Sequence, residues 1–178
     1  RSKKNAPPDY TAQSLFTVRR ASQLLVDPDR SAYLKKINEI VKMPNEHFQT
    51  LYGELVDNFV EFVQILPVRY REHLSGIMQD SLRHGLVALQ LLMETSPKKP
   101  QPIYVYAVFS MALLADVVKV MSTQKVMISD AAGVYIDEWC PFSGSMVEQG
   151  AQFFKIREYG GYRQAFLNSA NPLLAQRV

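Results

Sequence analysis

The sequence predicts an all-α protein, a compact helical bundle of about seven or eight helices around one core. Apolar residues recur at three- and four-residue steps through most of the chain, which is the spacing of one face of a helix. Prolines and glycine-containing turns separate these segments. The strand-like run Tyr104–Tyr106 lies within an apolar stretch that is too long for a typical strand, so it is assigned to a helix.

Composition and charge are typical of an ordinary globular domain. The chain has 178 residues, of which 47% are hydrophobic and 21% charged. A net charge of +3 is only a weak indication of nucleic-acid binding, which usually needs a concentrated basic face. The single cysteine, Cys140, excludes an internal disulfide framework and fits a reducing cytoplasm. No apolar run is expected to approach the roughly 20 residues that span a bilayer.

Residues 1–9 are predicted to be a flexible basic tail, and residues 10–178 a single helical domain. A first helix is expected from Thr11 to near Asp27. Asp27 and Pro28 are typical of a helix start, as N-cap and first helical residue. The helix that follows has one apolar face and is broken at 43–45. The residues of that face are Tyr33, Leu34, Ile37, Ile40 and Val41.

The central part of the chain carries the strongest helical patterns. A short helix over 47–52 is expected to continue into a buried helix that ends at Pro67. The next helix carries His84 and an apolar stripe that includes Leu82 and Leu89. After a proline-rich loop over 97–102, a long buried helix is predicted from Ile103 to Met121.

The C-terminal third is predicted to be helical as well. One helix is expected over Val126–Trp139 and another over Met146–Phe154. A glycine turn over 159–162 precedes a last short helix that ends before Asn171.

Five short motifs follow one another in order along the chain. They are Gln64-Ile65-Leu66-Pro67, His73 with Gly76, Leu82-Arg83-His84-Gly85, Ala112-Leu113-Leu114-Ala115-Asp116-Val117-Val118-Lys119, and Trp139-Cys140-Pro141. Their order resembles the HD-like N-terminal domain of conjugative relaxases of the MobH class, often called TraI. The resemblance covers about Leu51 to Tyr159. It implies an HD-domain-like helical bundle whose histidines and aspartates hold metal ions for phosphoester hydrolysis.

The departures from the family pattern fall on its chemistry. The resemblance implies His73, His84 and Asp116 as remaining positions of a metal site, whereas the histidine of the His-Asp pair is replaced by Ala115. Alanine has no donor atom, so one ligand is missing, and supporting residues cannot replace it. The chain is therefore expected to hold no metal or cofactor and to have no catalytic residue. In that case His84 and Asp116 would be buried and hydrogen-bonded, with His84 or Lys119 as the partner of Asp116.

Other polar residues have ordinary structural interpretations beside their chemical ones. His47 is expected to be a surface or capping histidine, Asp130 a helix-start residue and Asp137 a surface charge. Lys98 and Lys99 could touch phosphates, but a solvated loop is the simpler interpretation. The turn Trp139–Phe142 is expected to plug the core, and Cys140 to be a structural thiol.

The resemblance places the chain in a bacterial conjugation or type IV secretion system. The predicted role is a cytoplasmic, non-catalytic adaptor or scaffold that contacts other subunits of that apparatus, with possible weak nucleic-acid contact and without membrane insertion. The alternative is a metal-dependent phosphodiesterase or relaxase domain acting on DNA that tolerates Ala115. A third possibility is a nucleic-acid binding module, which salt-dependent DNA binding would reveal.

Overall fold

The computed structural model describes residues 15–64, 76–121, 124–158 and 164–178. These residues are mostly helical, with a small four-stranded antiparallel sheet. The helices are Ala21–Leu24 (α1), Pro28–Val41 (α2), Asn45–Phe48 (α3), Glu54–Val63 (α4), Gly76–Thr95 (α5), Pro102–Leu114 (α6) and Gln164–Ala175 (α7). The strands are Phe16–Thr17 (β1), Gln124–Ser129 (β2), Tyr135–Glu138 (β3) and Phe153–Glu158 (β4). Since α3 and α4 are continuous, the described residues form six separate helices, fewer than predicted, and the fold is not purely α.

The start of α2 confirms the capping pattern in the sequence. The Asp27 carboxylate accepts a hydrogen bond from the backbone N–H of Asp29 at 3.0 Å, and Pro28 is the first helical residue. Lys42 ends the helix in the left-handed conformation, with φ 53°. Hydrogen bonds from neighbouring residues thus satisfy backbone groups at both ends of α2.

The helix predicted around 47–52 does continue into α4, through one π-helical turn over Gln49–Gly53. Tyr52 lies in that turn, fully buried, with its ring stacked on Phe48 at 5.2 Å and edge-on to Tyr106 at 5.3 Å. Its hydroxyl has no hydrogen-bond partner in the described part of the chain. Burial, with a smaller contribution from Tyr106, raises the pKa of Tyr52 to about 12. The predicted end at Pro67 lies outside the described residues.

Helices α5 and α6 form an antiparallel hairpin around the loop 96–101, where the sequence predicts a loop between two helices. Their inner faces line the core with Met78, Leu82 and Leu89 on α5 and Val105, Phe109 and Leu113 on α6. The helices approach most closely at Gly85, where an added Cβ atom would lie 2.8 Å from the ring of Phe109. Because α6 ends at Leu114 and a 3-10 turn follows over Val117–Met121, the predicted helix 103–121 is broken near its end.

The prediction that this helix is buried is wrong on its outer face. Tyr104 is 61% exposed and Met111 is 74% exposed. The stretch Pro102–Val120 has 19 residues and a mean hydropathy of 1.8, so by length and composition it could cross a membrane, contrary to the expectation from the sequence. Only 33% of it is buried within the fold. An all-round apolar helix is thus covered on one side only.

The two C-terminal helices predicted over Val126–Trp139 and Met146–Phe154 are strands and turns instead. The sheet order is β1-β4-β2-β3, and Ile128 of β2 pairs with Phe154 of β4. Side chains on one face of the sheet, those of Val126, Ile128 and Phe154, are buried at two-residue spacing. The hairpin between β2 and β3 turns at Asp130, whose carboxylate accepts hydrogen bonds from two backbone N–H groups at 2.9 Å. This turn chemistry divides the segment that the periodicity assigned to one helix.

The ends of the chain also differ from the prediction. In place of a helix from Thr11 to Asp27, the described residues form β1 and the short α1, because β1 pairs with β4. Helix α7 passes through Asn171 and contains Pro172, where the sequence predicted a stop. The predicted tail, residues 1–9, lies outside the described residues, and a single domain over 10–178 stays a prediction.

Candidate functional site

The structure separates the two described positions that the resemblance assigns to a metal site. His84 is exposed on α5, so its predicted burial is wrong. Asp116 follows the end of α6, and its carboxylate lies 2.7 Å from the ammonium group of Lys119. Lys119, the second partner that the sequence offered, is therefore the one that the structure selects. His73 lies outside the described residues.

The antiparallel hairpin explains why His84 and Asp116 lie apart. Gly85, next to His84, lies opposite Phe109, whereas Asp116 follows in a turn after the end of α6 at Leu114. The two residues therefore belong to different levels of the hairpin, and Asp116 forms its ion pair with Lys119.

No group of three or more metal-ligating side chains occurs among the residues that the structure describes. Ala115, the exposed C-cap of α6, has no donor atom. His73 lies outside these residues, and the ligand positions stay predictions. What the described residues do form at this corner is a half-exposed ion pair, with 36% of the Asp116 side chain accessible.

The turn after α6, which carries Asp116, is held by hydrogen bonds to α7. The Asn171 side chain accepts a hydrogen bond from the backbone N–H of Val118 at 2.9 Å and donates one to the carbonyl of Leu114 at 3.4 Å. These backbone groups lie where α6 stops and have lost their helical partners. One amide therefore holds the break in the helix, a contact that the sequence analysis missed because 53 residues separate its partners.

Gln64, in the first of the motifs, is a second side-chain amide with a structural task, and this one is buried. It is 5% exposed, accepts a hydrogen bond from the N–H of Arg19 at 2.9 Å and donates one to the carbonyl of Arg19 at 3.2 Å. The side chain thus pairs with extended backbone as a neighbouring strand would. It joins the segment between β1 and α1 to the end of α4.

Trp139 confirms the predicted core plug. It is 4% exposed, its ring lies 5.6 Å from Phe62 in an edge-on contact, and its indole N–H donates to the carbonyl of Gly144 at 2.9 Å. Phe142, in the same turn, is 36% exposed and does not share this role. Cys140 is exposed, and its interpretation as a structural thiol stays a prediction.

The remaining polar candidates lie on the surface. His47, Lys98, Lys99 and Asp137 are exposed, as the simpler interpretations predict. Asp130 begins a β-turn, not a helix. Neither His47 nor the two aspartates belong to a group of three or more potential metal ligands within the described part of the chain.

Comparison with known families decides the affiliation. The TraI_2 family, described as "putative helicase", matches residues 16–165. The chain belongs to the TraI_2 family. No curated protein matches the chain at a significant level. TraI_2 membership points to a function related to the relaxases of conjugative transfer and confirms the TraI-type part of the resemblance.

This TraI_2 chain has no Gly-x4-Gly-Lys loop in its sequence. That loop is the phosphate cradle of P-loop nucleoside triphosphatases, the group that includes many helicases. The helicase activity in the family description therefore has no loop of this type among these residues.

The α5–α6 hairpin of this TraI_2 chain exposes several large apolar side chains. They lie on the outer sides of the two helices, and we term this surface the hairpin face. Its residues are Val87, Leu91, Ile103, Tyr104 and Met111. These residues lie on the sides of α5 and α6 that face away from the buried core. Exposed apolar side chains in such number mark interaction sites.

A shallow polar cleft lies on another side of the molecule. It is formed by the segment 17–20 with Gln23 on one wall and by Val147, Ala151 and Gln152 on the other. Arg19 and Arg20 are exposed there. Two adjacent guanidinium groups favour anions, which makes the cleft a place where phosphate oxygens could bind.

Proposed function

We propose that this chain is a degenerate HD-like domain of the MobH type that acts as a non-catalytic adaptor or scaffold in a bacterial conjugative transfer or type IV secretion apparatus. The observation that carries the proposal is the corner at the end of α6. Ala115 offers no ligand, and the carboxylate of Asp116 is ion-paired with Lys119 at the surface. A metal ligand would have to leave that pair and find partners that the described residues do not bring together.

The structural contacts of the motif residues support the same proposal. Gln64 and Trp139 form buried hydrogen bonds, and Gly85 permits the contact with Phe109. Each therefore serves the fold directly. This supports a domain in which the structural part of the pattern is retained and the chemical part has changed, while fold alone would leave the function open.

The hairpin face supports a role in binding. An apolar surface of five large side chains is costly to leave in water, and such surfaces are typical of proteins that work as part of an assembly. We propose a cytoplasmic location, other subunits of the transfer apparatus as partners, and no insertion into the membrane. The cleft at Arg19 and Arg20 would supply the weak nucleic-acid contact.

A genetic complementation experiment tests this function. In a strain that lacks the chain, transfer of DNA or of a secreted protein is measured after complementation with variants. His84→Ala and Asp116→Asn should restore transfer to within about twofold of the original chain, because they change exposed groups without removing apolar contacts. Met111→Glu should restore little transfer, because it places a charge in the hairpin face.

The opposite pattern would overturn the proposal. If His84→Ala and Asp116→Asn abolish transfer while the proteins stay folded and soluble, the chemical positions are in use. Leu173→Glu is the matched control for Met111→Glu, because Leu173 is an exposed apolar residue on α7 outside the hairpin face. If the chain is an adaptor, the Leu173→Glu variant should restore transfer to the level of the original chain.

The alternative is a metal-dependent phosphodiesterase or relaxase domain that acts on DNA, a function that is equally consistent with membership of a relaxase-related family. It predicts about one Mn, Fe or Zn ion per purified chain and hydrolysis of a chromogenic phosphodiester. It also predicts that His84→Ala and Asp116→Ala lower the metal content. Elemental analysis of the three proteins side by side separates this alternative from the adaptor.

A further inference from the structure

The sheet ends in two edge strands of unequal length. Strand β1 has two residues, whereas β3 has four, and all four residues of β3 are exposed. Among the described strands, β3 pairs only with β2, so its other side is open. The exposed residues Val134, Tyr135 and Ile136 make one end of this edge apolar. Open, apolar edges of this kind can pair with a strand of another chain.

The backbone N–H of Glu138 points to the open side of β3. Trp139, the next residue, donates its N–H to the carbonyl of Val126 beside β2 at 2.7 Å. Successive N–H groups of a strand point to opposite sides, so the N–H of Glu138 points away from β2. An added strand would use this donor to form its hydrogen bonds with β3.

The side chain of Asp137 already occupies this donor. Its carboxylate accepts a hydrogen bond from the N–H of Glu138 at 2.7 Å, a distance typical of hydrogen bonds to charged acceptors. A strand that pairs with β3 would have to break this bond. It would also have to remove the Asp137 carboxylate from water, which is unfavourable without a new partner.

Two further features make β3 a poor template for pairing. Ile136 has no partner on β2, because the register shifts between Ile128 and Ser129, and such a bulge twists an edge strand. Glu138 forms an ion pair with Lys125 at 3.1 Å, which places a second charge on the same strand. Asp137 differs from both features because it binds a backbone group that pairing requires.

From these observations we infer that Asp137 protects the edge of the sheet and prevents β3 from pairing with β3 of a second copy. Every copy carries the same edge. Two β3 strands that pair antiparallel about a two-fold axis would join two sheets into one. The inference concerns a surface that the adaptor role does not use, so the two can fail independently.

Sedimentation velocity over a dilution series tests the protection. Asp137→Ala should self-associate about tenfold more tightly than the original chain, because a two-fold pair gains two backbone donors and no longer excludes two carboxylates from water. Asp137→Asn should stay closer to the original chain than to Asp137→Ala, since its amide oxygen can still accept from the N–H of Glu138. Glu138→Gln is the matched control, because it removes a charge from β3 and leaves the edge contact in place.

Two results of that series would overturn the inference. One is equal self-association of Asp137→Ala and the original chain. The other is self-association of Asp137→Asn as tight as that of Asp137→Ala, because the hydrogen bond would then have no part in the protection.

Second substitutions in the Asp137→Ala chain show which surface associates. Ile136→Lys should restore the behaviour of the original chain, because it returns a charge to the same edge. Val87→Lys, on the exposed side of α5, should leave the association unchanged. If Val87→Lys abolishes the association and Ile136→Lys does not, the hairpin face is the surface involved and the inference is wrong.

Amide hydrogen exchange, at a concentration where both chains are monomeric, tests the contact itself. The amide of Glu138 should exchange several-fold more slowly in the original chain than in Asp137→Ala, after correction for the change of neighbouring residue. The amide of Trp139, which is bonded to Val126, is the internal reference and should not change. Equal exchange rates for Glu138 in the two chains would overturn the inference.

Discussion

The α5–α6 hairpin and the sheet β1–β4 bury their apolar residues by different means. In the hairpin, side chains interlock over a glycine, and the contact of Gly85 with Phe109 fixes the distance between the helices. In the sheet, backbone ladders and polar side chains hold the chain, and Trp139 joins it to α4 through Phe62. The hairpin should therefore respond to changes of volume, and the sheet to loss of its anchor and its hydrogen bonds.

Trp139→Ala should have the largest effect, because it removes the anchor of the sheet. It deletes a buried indole and leaves the carbonyl of Gly144 without that donor. Loss of a buried aromatic residue costs about 3–5 kcal/mol of unfolding free energy. Chemical denaturation measures it, and Trp139→Phe is the control that keeps most of the packing. Equal stability of Trp139→Ala and the original chain would mean that the sheet does not depend on this contact.

Gly85→Val tests the hairpin. The added Cβ atom alone lies 2.8 Å from the Phe109 ring, and Phe109 is fully buried, so the helices must separate. Overpacking of this kind costs about 1–3 kcal/mol. The control is Val87→Ala, on the outer side of the same helix, which should change the unfolding free energy of the monomer little. If Gly85→Val were as stable as the original chain, the close approach of α5 and α6 would be wrong.

Tyr52→Phe sharpens the comparison through pH. The pKa of Tyr52 is about 12 in the fold against 10.0 ordinarily, because burial disfavours the phenolate. Below pH 10 both states are protonated; above it only the unfolded state ionises, so stability falls by about 1.4 kcal/mol per pH unit up to pH 12. Unfolding at pH 8 and pH 11 should show a smaller loss for Tyr52→Phe than for the original chain. At pH 8 Tyr52→Phe should be at least as stable as the original chain, since the hydroxyl group that it removes has no hydrogen-bond partner among the described residues.

The smallest effects are expected at the corner and on the outer side of α5. Asp116→Ala removes a half-exposed ion pair, which contributes about 0–1 kcal/mol, and His84→Ala removes an exposed side chain. The loss of stability in the double variant should equal the sum of the losses in the two single variants, because the side chains of His84 and Asp116 lie apart. Thermal denaturation of the three proteins measures this. A double variant that loses clearly less than the sum would show that the two residues touch.

Most helices of the N-terminal and central parts could be predicted from the sequence, because their causes are local. The Asp27-Pro28 start, the apolar stripe of α4 and the loop before α6 depend on neighbouring residues alone. For the candidate site, the sequence predicted which residues to consider, but not their contacts or their exposure. The sequence offered His84 or Lys119 as the partner of Asp116, and only the structure selects Lys119, three residues away. The exposure of His84 was not predictable either, since it depends on how α5 is rotated against α6 and α2.

The sequence by itself determined the helical central core and the TraI-type affiliation, through periodicity within single elements and the order of short motifs. Only the tertiary structure decided the strands. The segment Val126–Trp139 forms two strands because β4, from a later part of the chain, supplies the backbone partners of β2, and because the turn at Asp130 reverses the chain between them. The same holds for the apolar outer side of α6. The pattern of α6 is apolar all round and identical whichever side is covered, so only packing against α5 decided which side stayed in water.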